Sequence, residues 1–221
     1  MEILEAIQSR HAVRQYTDRP LPETVLTVLN KEVADCNAES GLHIQLVVNE
    51  PEAFQGGLAH YGKFSGVRNY LALVGPKGPE LDEKLGYYGE RLVLKAAQLG
   101  LDSCWVALTF RKGKCRCTVA PGEKLVCVIA LGYGVTHGVS HQSKPMEALC
   151  RVDGEMPTWF RAGMEAALLA PTAVNQQKFR MTLDGSAVKA ESTGGFYSKV
   201  DLGIVKYHFE IGAGTDHFTW K

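Results

Sequence analysis

Apolar residues one helical turn apart alternate along this chain with shorter apolar runs of strand length, and the two periods divide it into elements. Ile3, Ala6 and Ile7 predict a short helix over residues 2–9. Beyond Pro20-Leu21-Pro22, Val25, Val28, Leu29 and Val33 recur at steps of three and four, which predicts a second helix stopped by Asn37–Gly41. Leu42–Val48 alternates as a strand does, and Tyr70–Val74 is a buried-strand run closed by Gly75-Pro76. Leu85, Tyr88, Leu92, Ala96 and Leu99 make the strongest helical stripe, ending at Gly100. Strands follow at Ser103–Thr109 and Lys124–Leu131, the second running into Gly132-Tyr133-Gly134.

The last third begins again with a helix. Pro157 suits its first turn, and Phe160, Met164, Ala167 and Leu168 give it an apolar face up to Ala170-Pro171. Phe179–Leu183 and Val188–Ser192 read as a hairpin turning at Asp184-Gly185. A final helix starts near Ser198, where Ser198 and Asp201 have capping-box spacing, and it directs Leu202, Val205 and Phe209 inward. Residues 22–48 and 157–183 share the order helix, polar loop with a glutamine, strand, a weak internal duplication. The expectation is an α+β fold, a mixed and mainly antiparallel sheet flanked by helices, with a lobe over 1–150 and a half-lobe over 151–221.

Composition narrows the classes of function. With 221 residues and 45% hydrophobic content the chain can build a substantial core, and 24 basic against 24 acidic side chains leave no net field for nucleic acid or an anionic membrane. The N-terminus lacks a basic segment followed by an apolar one, and no apolar stretch is long enough to span a bilayer, so a cytoplasmic location is expected. The cysteines Cys36, Cys104, Cys115, Cys117, Cys127 and Cys150 contain no CxxC pair and read as reduced thiols. Cys115-Arg116-Cys117 has no second ligand pair nearby, and His60, His137, His141, His208 and His217 lack metal spacing, so no metal site is expected. A hydrolase would need a nucleophile elbow and a Rossmann domain a GxGxxG turn, and neither is present.

Four separated segments carry the candidate chemistry. Ser9-Arg10-His11-Ala12-Val13-Arg14 concentrates donors suited to a phosphate or carboxylate, although composition alone favours a solvated helix end. Gly100-Leu101-Asp102-Ser103-Cys104-Trp105-Val106-Ala107 follows the strong helix. Ala130-Leu131-Gly132-Tyr133-Gly134 precedes Gln142-Ser143-Lys144-Pro145. Ala170-Pro171-Thr172-Ala173-Val174-Asn175-Gln176-Gln177 would otherwise read as a helix stop and a polar turn.

Together these segments resemble the FMN-dependent nitroreductase family. They are similar to its N-terminal Arg-Arg/His-Ser-x-Arg/Lys signature, its Gly-Leu-Gly-Ser-Cys-Trp-x-Gly stretch, its Leu-Gly-Tyr-Pro strand end and its Ala-Pro-Ser-x-x-Asn-x-Gln-Pro-Trp loop. The resemblance implies that Arg10 holds the FMN phosphate with Lys144, that His11 packs along the ribityl chain, and that Arg14 sits near N1 and O2 of the ring. It further implies backbone contact near N5 and O4 from Trp105, Val106 and Ala107, and flavin-edge contacts from Pro171, Thr172, Ala173, Asn175 and Gln177. Ala12 stands where the family has Ser, Ala107 where it has Gly, Gln142 where a basic residue is frequent, and Lys178-Phe179 where it has Pro-Trp.

The early position equivalent to that loop, Asn37–Gln45, lacks its Pro and Asn, while the better copy lies near the C-terminus. The resemblance therefore implies a pseudo-dimeric monomer whose C-terminal half-lobe replaces a partner subunit, with a homodimer as the alternative. The implied activity is hydride transfer from NADH or NADPH through flavin N5 to a small acceptor such as a nitroaromatic or quinone, without a catalytic side chain. The alternative is a non-catalytic flavin-binding module for storage or sensing.

Overall fold

A computed structural model describes all of residues 1–221. Its elements in chain order are α1 (Ile3–Ser9), α2 (Glu23–Ser40), β1 (Gln45–Val47), α3 (Gly57–Tyr61), β2 (Asn69–Pro76), α4 (Leu81–Gln98) and β3 (Asp102–Val106). They continue with β4 (Glu123–Gly132), β5 (Cys150–Val152), α5 (Thr158–Ala167), β6 (Phe179–Asp184), β7 (Ala187–Ser192), α6 (Ser198–Ala213) and β8 (Thr219–Trp220). The α+β class expected from the sequence is what the chain adopts. It forms two compact units, one of Met1, Ser9–Leu81 and Leu92–Ser140, the other of Glu2–Gln8, Asp82–Arg91 and His141–Lys221. The expected division at 150/151 thus differs from the observed one, which leaves the first unit at Ser140 and gives the second unit two earlier segments.

The first unit is built on an antiparallel sheet in the order β1-β2-β4-β3. Its central strands are the continuous apolar runs of the sequence, and β4 is buried from Leu125 through Gly132. On one face Tyr70, Ala72 and Val74 of β2 alternate into a cluster with Val128 and Ala130 of β4 and with Cys104 and Val106 of β3. Phe54 centres the aromatic part of that cluster, with ring centroids 5.3 Å from Phe64, 5.9 Å from Tyr70 and 6.3 Å from Phe110.

Helix α2 runs to Ser40, within the expected Asn37–Gly41 stop, and ends on Gly41 in the left-handed conformation at φ 72°. The side chain of Asn37 leaves the helix to accept the Ile44 N–H at 2.8 Å and to donate to the Ile44 carbonyl at 2.8 Å. Those bonds occupy the main chain of Ile44, and the β1 ladder begins only at Gln45.

The second unit has a mixed sheet in the order β5-β6-β7-β8, with parallel β5–β6 and β7–β8 pairs around an antiparallel β6–β7 hairpin. The ladder includes Asp184 opposite Ala187, so the two-residue turn is Gly185-Ser186 and Gly185 takes the positive φ of 63°. In the first unit β1 is an edge strand, whereas β6 lies between two neighbours.

Within the second unit, residues 82–91 of α4 and helix α6 meet through glycine. A Cβ at Gly86 would lie 2.0 Å from the Val200 carbonyl oxygen, and one at Gly203 would lie 2.0 Å from that of Glu83. His208 of α6 is fully buried and bridges helices, its Nε2 2.9 Å from the Glu90 carboxylate and its Nδ1 3.1 Å from the Ala166 carbonyl. The Ser198–Asp201 capping box does not form: Tyr197 occupies the cap position with φ 55° and no side chain caps the helix. Asp201 is instead buried and serves a loop described below.

The backbone approach makes a side chain at Gly203 an overpacking substitution. Gly203→Ala is expected to lower stability by about 2–3 kcal/mol in urea unfolding, and an unchanged midpoint would show that the helices separate without cost.

Candidate functional site

In the first unit, the chain after α1 becomes extended and is bonded along its length. Val13 N–H donates to the Ser103 carbonyl at 3.0 Å, Ser65 N–H to Arg14 at 3.0 Å and Tyr16 N–H to Ser65 at 3.0 Å. Ala12 thereby bridges in parallel to Ser103, at the outer edge of β3. Arg10, Val13 and Tyr16 are buried, while Ala12 and Arg14 are exposed. The Arg14 guanidinium lies 6.0 Å from the centroid of Phe64, which ties it to the aromatic cluster.

The His11 ring is fixed through its Nδ1, 3.2 Å from the carbonyl oxygen of His137. A carbonyl only accepts, so Nδ1 carries the proton. Gly138 allows this approach: its φ is 78°, and a Cβ there would lie 2.7 Å from the His11 Cβ. Asp102 holds the same loop, accepting the Gly134 N–H at 2.9 Å and standing 3.4 Å from His137 Nδ1. Sequence reasoning missed Asp102, whose signal was an acid at the third position of Gly100–Ala107, where the resembling stretch has glycine.

Strand β3 carries half-buried Trp105 and buried Val106, followed by half-buried Ala107. The Cys104 thiol is pushed above its ordinary value by burial, against the opposing pull of Arg14 and Arg10. It stays protonated and packs as a small apolar group rather than as a nucleophile.

In the second unit, the loop after α5 contains a run of left-handed backbone. Val174, Asn175 and Gln177 have φ of 46°, 54° and 46°. For the β-branched and exposed Val174 this is a strained conformation, of the kind that costs about 1–3 kcal/mol.

Buried Gln177 over-determines that shape. Its Oε1 accepts the Lys144 N–H at 2.8 Å, its Nε2 donates to the Gln142 carbonyl and to Asn175 Oδ1 at 3.0 Å each, and its own N–H donates to Thr172 Oγ1 at 3.0 Å. Asn175 Nδ2 reaches the same Gln142 carbonyl at 2.9 Å. The Lys144 ammonium donates to the Gln176 carbonyl at 2.7 Å and so is committed in part to the loop.

Asp201 grips the loop from α6, accepting the Ala173 N–H at 2.9 Å and the Gln176 side-chain amide at 2.7 Å. Burial raises its carboxyl above the ordinary range, while the bonds from Gln176 and Ala173 pull the other way. Gln142, Gln176 and Asp201 were given no role in the loop by sequence, since those roles depend on partners distant in the chain.

The structure therefore brings Arg10, His11, Ala12 and Arg14 together with β3 in one unit, and Lys144 together with Pro171, Thr172, Ala173, Asn175 and Gln177 in the other. No group of three or more His, Cys, Asp or Glu side chains is placed to hold a metal ion. No helix is long and apolar enough to cross a membrane.

A family model described as "Putative TM nitroreductase" matches residues 2–213. Among solved structures, one described as a "putative nitroreductase" from Thermotoga maritima is similar with a TM-score of 0.68 and 23% identity, covering 96% of this chain and 83% of the other. A "putative nitroreductase in complex with FMN" from Desulfovibrio desulfuricans aligns with a TM-score of 0.54 and 15% identity over 71% of this chain and 99% of the other. A "Putative NADH dehydrogenase/NAD(P)H nitroreductase" from Bacteroides thetaiotaomicron aligns with a TM-score of 0.52 and 15% identity over 66% and 95%. No curated protein matches the sequence.

Two outcomes test the loop network. Gln177→Ala leaves buried partners unsatisfied and should cost about 1–3 kcal/mol in urea unfolding, with faster proteolysis within residues 171–178; unchanged values would show that the loop holds its shape without the amide. A raised folded-state value means that the folded chain binds the Asp201 proton more tightly than the unfolded chain. The contribution of Asp201 is therefore full below the ordinary carboxyl range and is lost as pH rises through its folded-state value. Asp201→Asn should remove this descending limb, so stability curves of the two proteins that run parallel with pH would show that Asp201 does not titrate within the fold.

Proposed function

The chain belongs to the TM nitroreductase family, whose model spans residues 2–213, and from that premise we propose that it is an FMN-dependent oxidoreductase acting on small molecules. The observation that carries the reading is the pair Arg10 and Arg14, set on an extended segment bonded to β3 and both acting electrostatically on Cys104. A buried guanidinium, a nearby exposed one and an oriented imidazole suit a phosphate and an electron-rich ring, which is the donor set FMN requires.

Bound FMN would supply the redox chemistry between NADH or NADPH and an acceptor such as a nitroaromatic or a quinone. The remaining tasks belong to the chain. Arg10 holds phosphate, His11 packs on the ribityl chain through the tautomer fixed by His137, and Arg14 supplies positive charge where the reduced cofactor carries negative charge. Trp105, Val106 and Ala107 cover and align the ring, and Ala12 adds only main-chain contact.

In the second unit, Pro171, Thr172, Ala173, Asn175 and Gln177 form a flavin-binding loop that presents main chain, since their polar side chains are spent on its internal bonds. Lys144 organises the loop carbonyls and offers its remaining N–H donors to an anion. The FMN complex of the Desulfovibrio protein and the nicotinamide in the description of the Bacteroides protein support both halves of the cofactor assignment.

The purified chain mixed with FMN should show visible flavin bands that bleach anaerobically with NADH or NADPH and return when a nitroaromatic or quinone is added. Absence of flavin binding would overturn the proposal, and bands that neither nucleotide bleaches would favour storage or sensing. Arg10→Ala should weaken FMN binding by about 1.5–3 kcal/mol, measured by fluorescence titration; unaltered affinity would remove Arg10 from the phosphate site.

A further inference from the structure

The second unit contains a cavity of about 510 Å³ whose lining includes Arg151, Arg161, Glu147, Asp153, Met146 and Met156. None of these belongs to the segments assigned to flavin. The volume lies within the range of small-molecule sites. Elsewhere in this unit Lys189–Glu191, Lys206–Glu83 and Lys221–Asp184 form ion pairs at 2.7–2.9 Å. Arg151, Arg161, Glu147 and Asp153 line one opening, yet none forms a salt bridge.

The positions are set by the fold. Arg151 lies on the edge strand β5, in register with Thr182 of β6, and Arg161 lies on the early part of α5. Gly154, with φ of 89°, turns the chain immediately after Asp153. Both guanidinium groups can take a carboxylate in a planar fork. The two acids leave the lining electrically balanced, so a purely anionic ligand would complement half of it. The methionines offer polarisable apolar surface that accommodates an aliphatic or aromatic body.

We propose that this cavity binds a small zwitterion with an apolar body, of the α-amino acid class. Its carboxylate faces Arg151 and Arg161, its ammonium faces Glu147 and Asp153, and its side chain packs on Met146 and Met156. Cys150, half-buried in the same lining, reports on occupancy.

The test is calorimetric titration of the whole chain with L-phenylalanine, L-methionine and L-leucine, alongside iodoacetamide labelling of Cys150 read by peptide mass. At least one amino acid should bind saturably and protect Cys150. Arg151→Gln and Arg161→Gln should each weaken binding roughly ten- to hundredfold, as expected for loss of a charge-assisted bond. Removing the ligand's ammonium by N-acetylation, or its carboxylate by amidation, should weaken it comparably. No saturable heat and no protection would overturn the proposal, as would an N-acetyl derivative that binds as tightly as its parent. The flavin spectrum of the same samples is independent of these outcomes, so failure here and failure of the FMN assignment are distinguishable.

Discussion

The hydroxyl of Tyr16 is the point on which the first unit is organised. It donates to the Val13 carbonyl at 2.7 Å and lies 3.3 Å from that of Ala130, joining the extended N-terminal segment to the end of the central strand. Its ring stands where a Cβ at Gly132 would come within 2.9 Å, so the glycine at the end of β4 is what admits it. Burial pushes the phenol well above its ordinary value, and it remains a donor throughout the range in which proteins are folded. With Tyr16 fixed, Val13 and Arg14 are positioned by main-chain bonds rather than by their own flexible side chains.

The second unit solves a different problem. A strained Val174 persists only where its surroundings over-determine it, and here they do so through Gln177 within the loop and Asp201 from α6. Both are buried polar residues, whose value lies in having partners in one arrangement of the backbone and lacking them in others. Gly163 and Gly212 let α5 and α6 pack closely behind this loop, since a Cβ at Gly212 would lie 2.4 Å from the Ala162 carbonyl oxygen.

What the sequence made legible was whatever a local period or turn residue determines. The stripe of α4, the apolar run of β4 and the hairpin at Gly185 belong to this class, and the resemblance of the four segments anticipated the family. Strands β5 and β8 were invisible because they span only three and two residues and exist through pairing with β6 and β7. Ser198 and Asp201 show the reverse failure: the spacing of a capping box was present, but burial directed the acid to a loop 25–28 residues earlier. Within the expected Asn37–Gly41 stop it is Gly41 that ends the helix, while Asn37 stays helical in its backbone and acts on Ile44 through its side chain. Among the proposed site residues, chain order could not give the commitment of Lys144 to carbonyls or the clamp made by Asp102.

That clamp alters how the departures from the family pattern should be weighed. An acid at position 102 places negative charge in the neighbourhood of Arg14, as its opposing effects on Tyr16 indicate. Charge counting alone would therefore rank this chain as a poor anion binder. Yet the carboxylate is bonded to the Gly134 N–H at 2.9 Å, a charge-assisted contact that orders the loop bearing His137, which in turn orients His11. His137 is largely exposed, so its own attraction to Asp102 is screened by solvent and the backbone bond carries most of the effect. In the proposed flavin site, whose task is orientation, fixed donors cost no reorganisation when the ligand arrives, and that order offsets part of the hydroxyl lost at Ala12. The proposed grip on FMN thus rests more on an ordered main chain than on the number of positive charges around it.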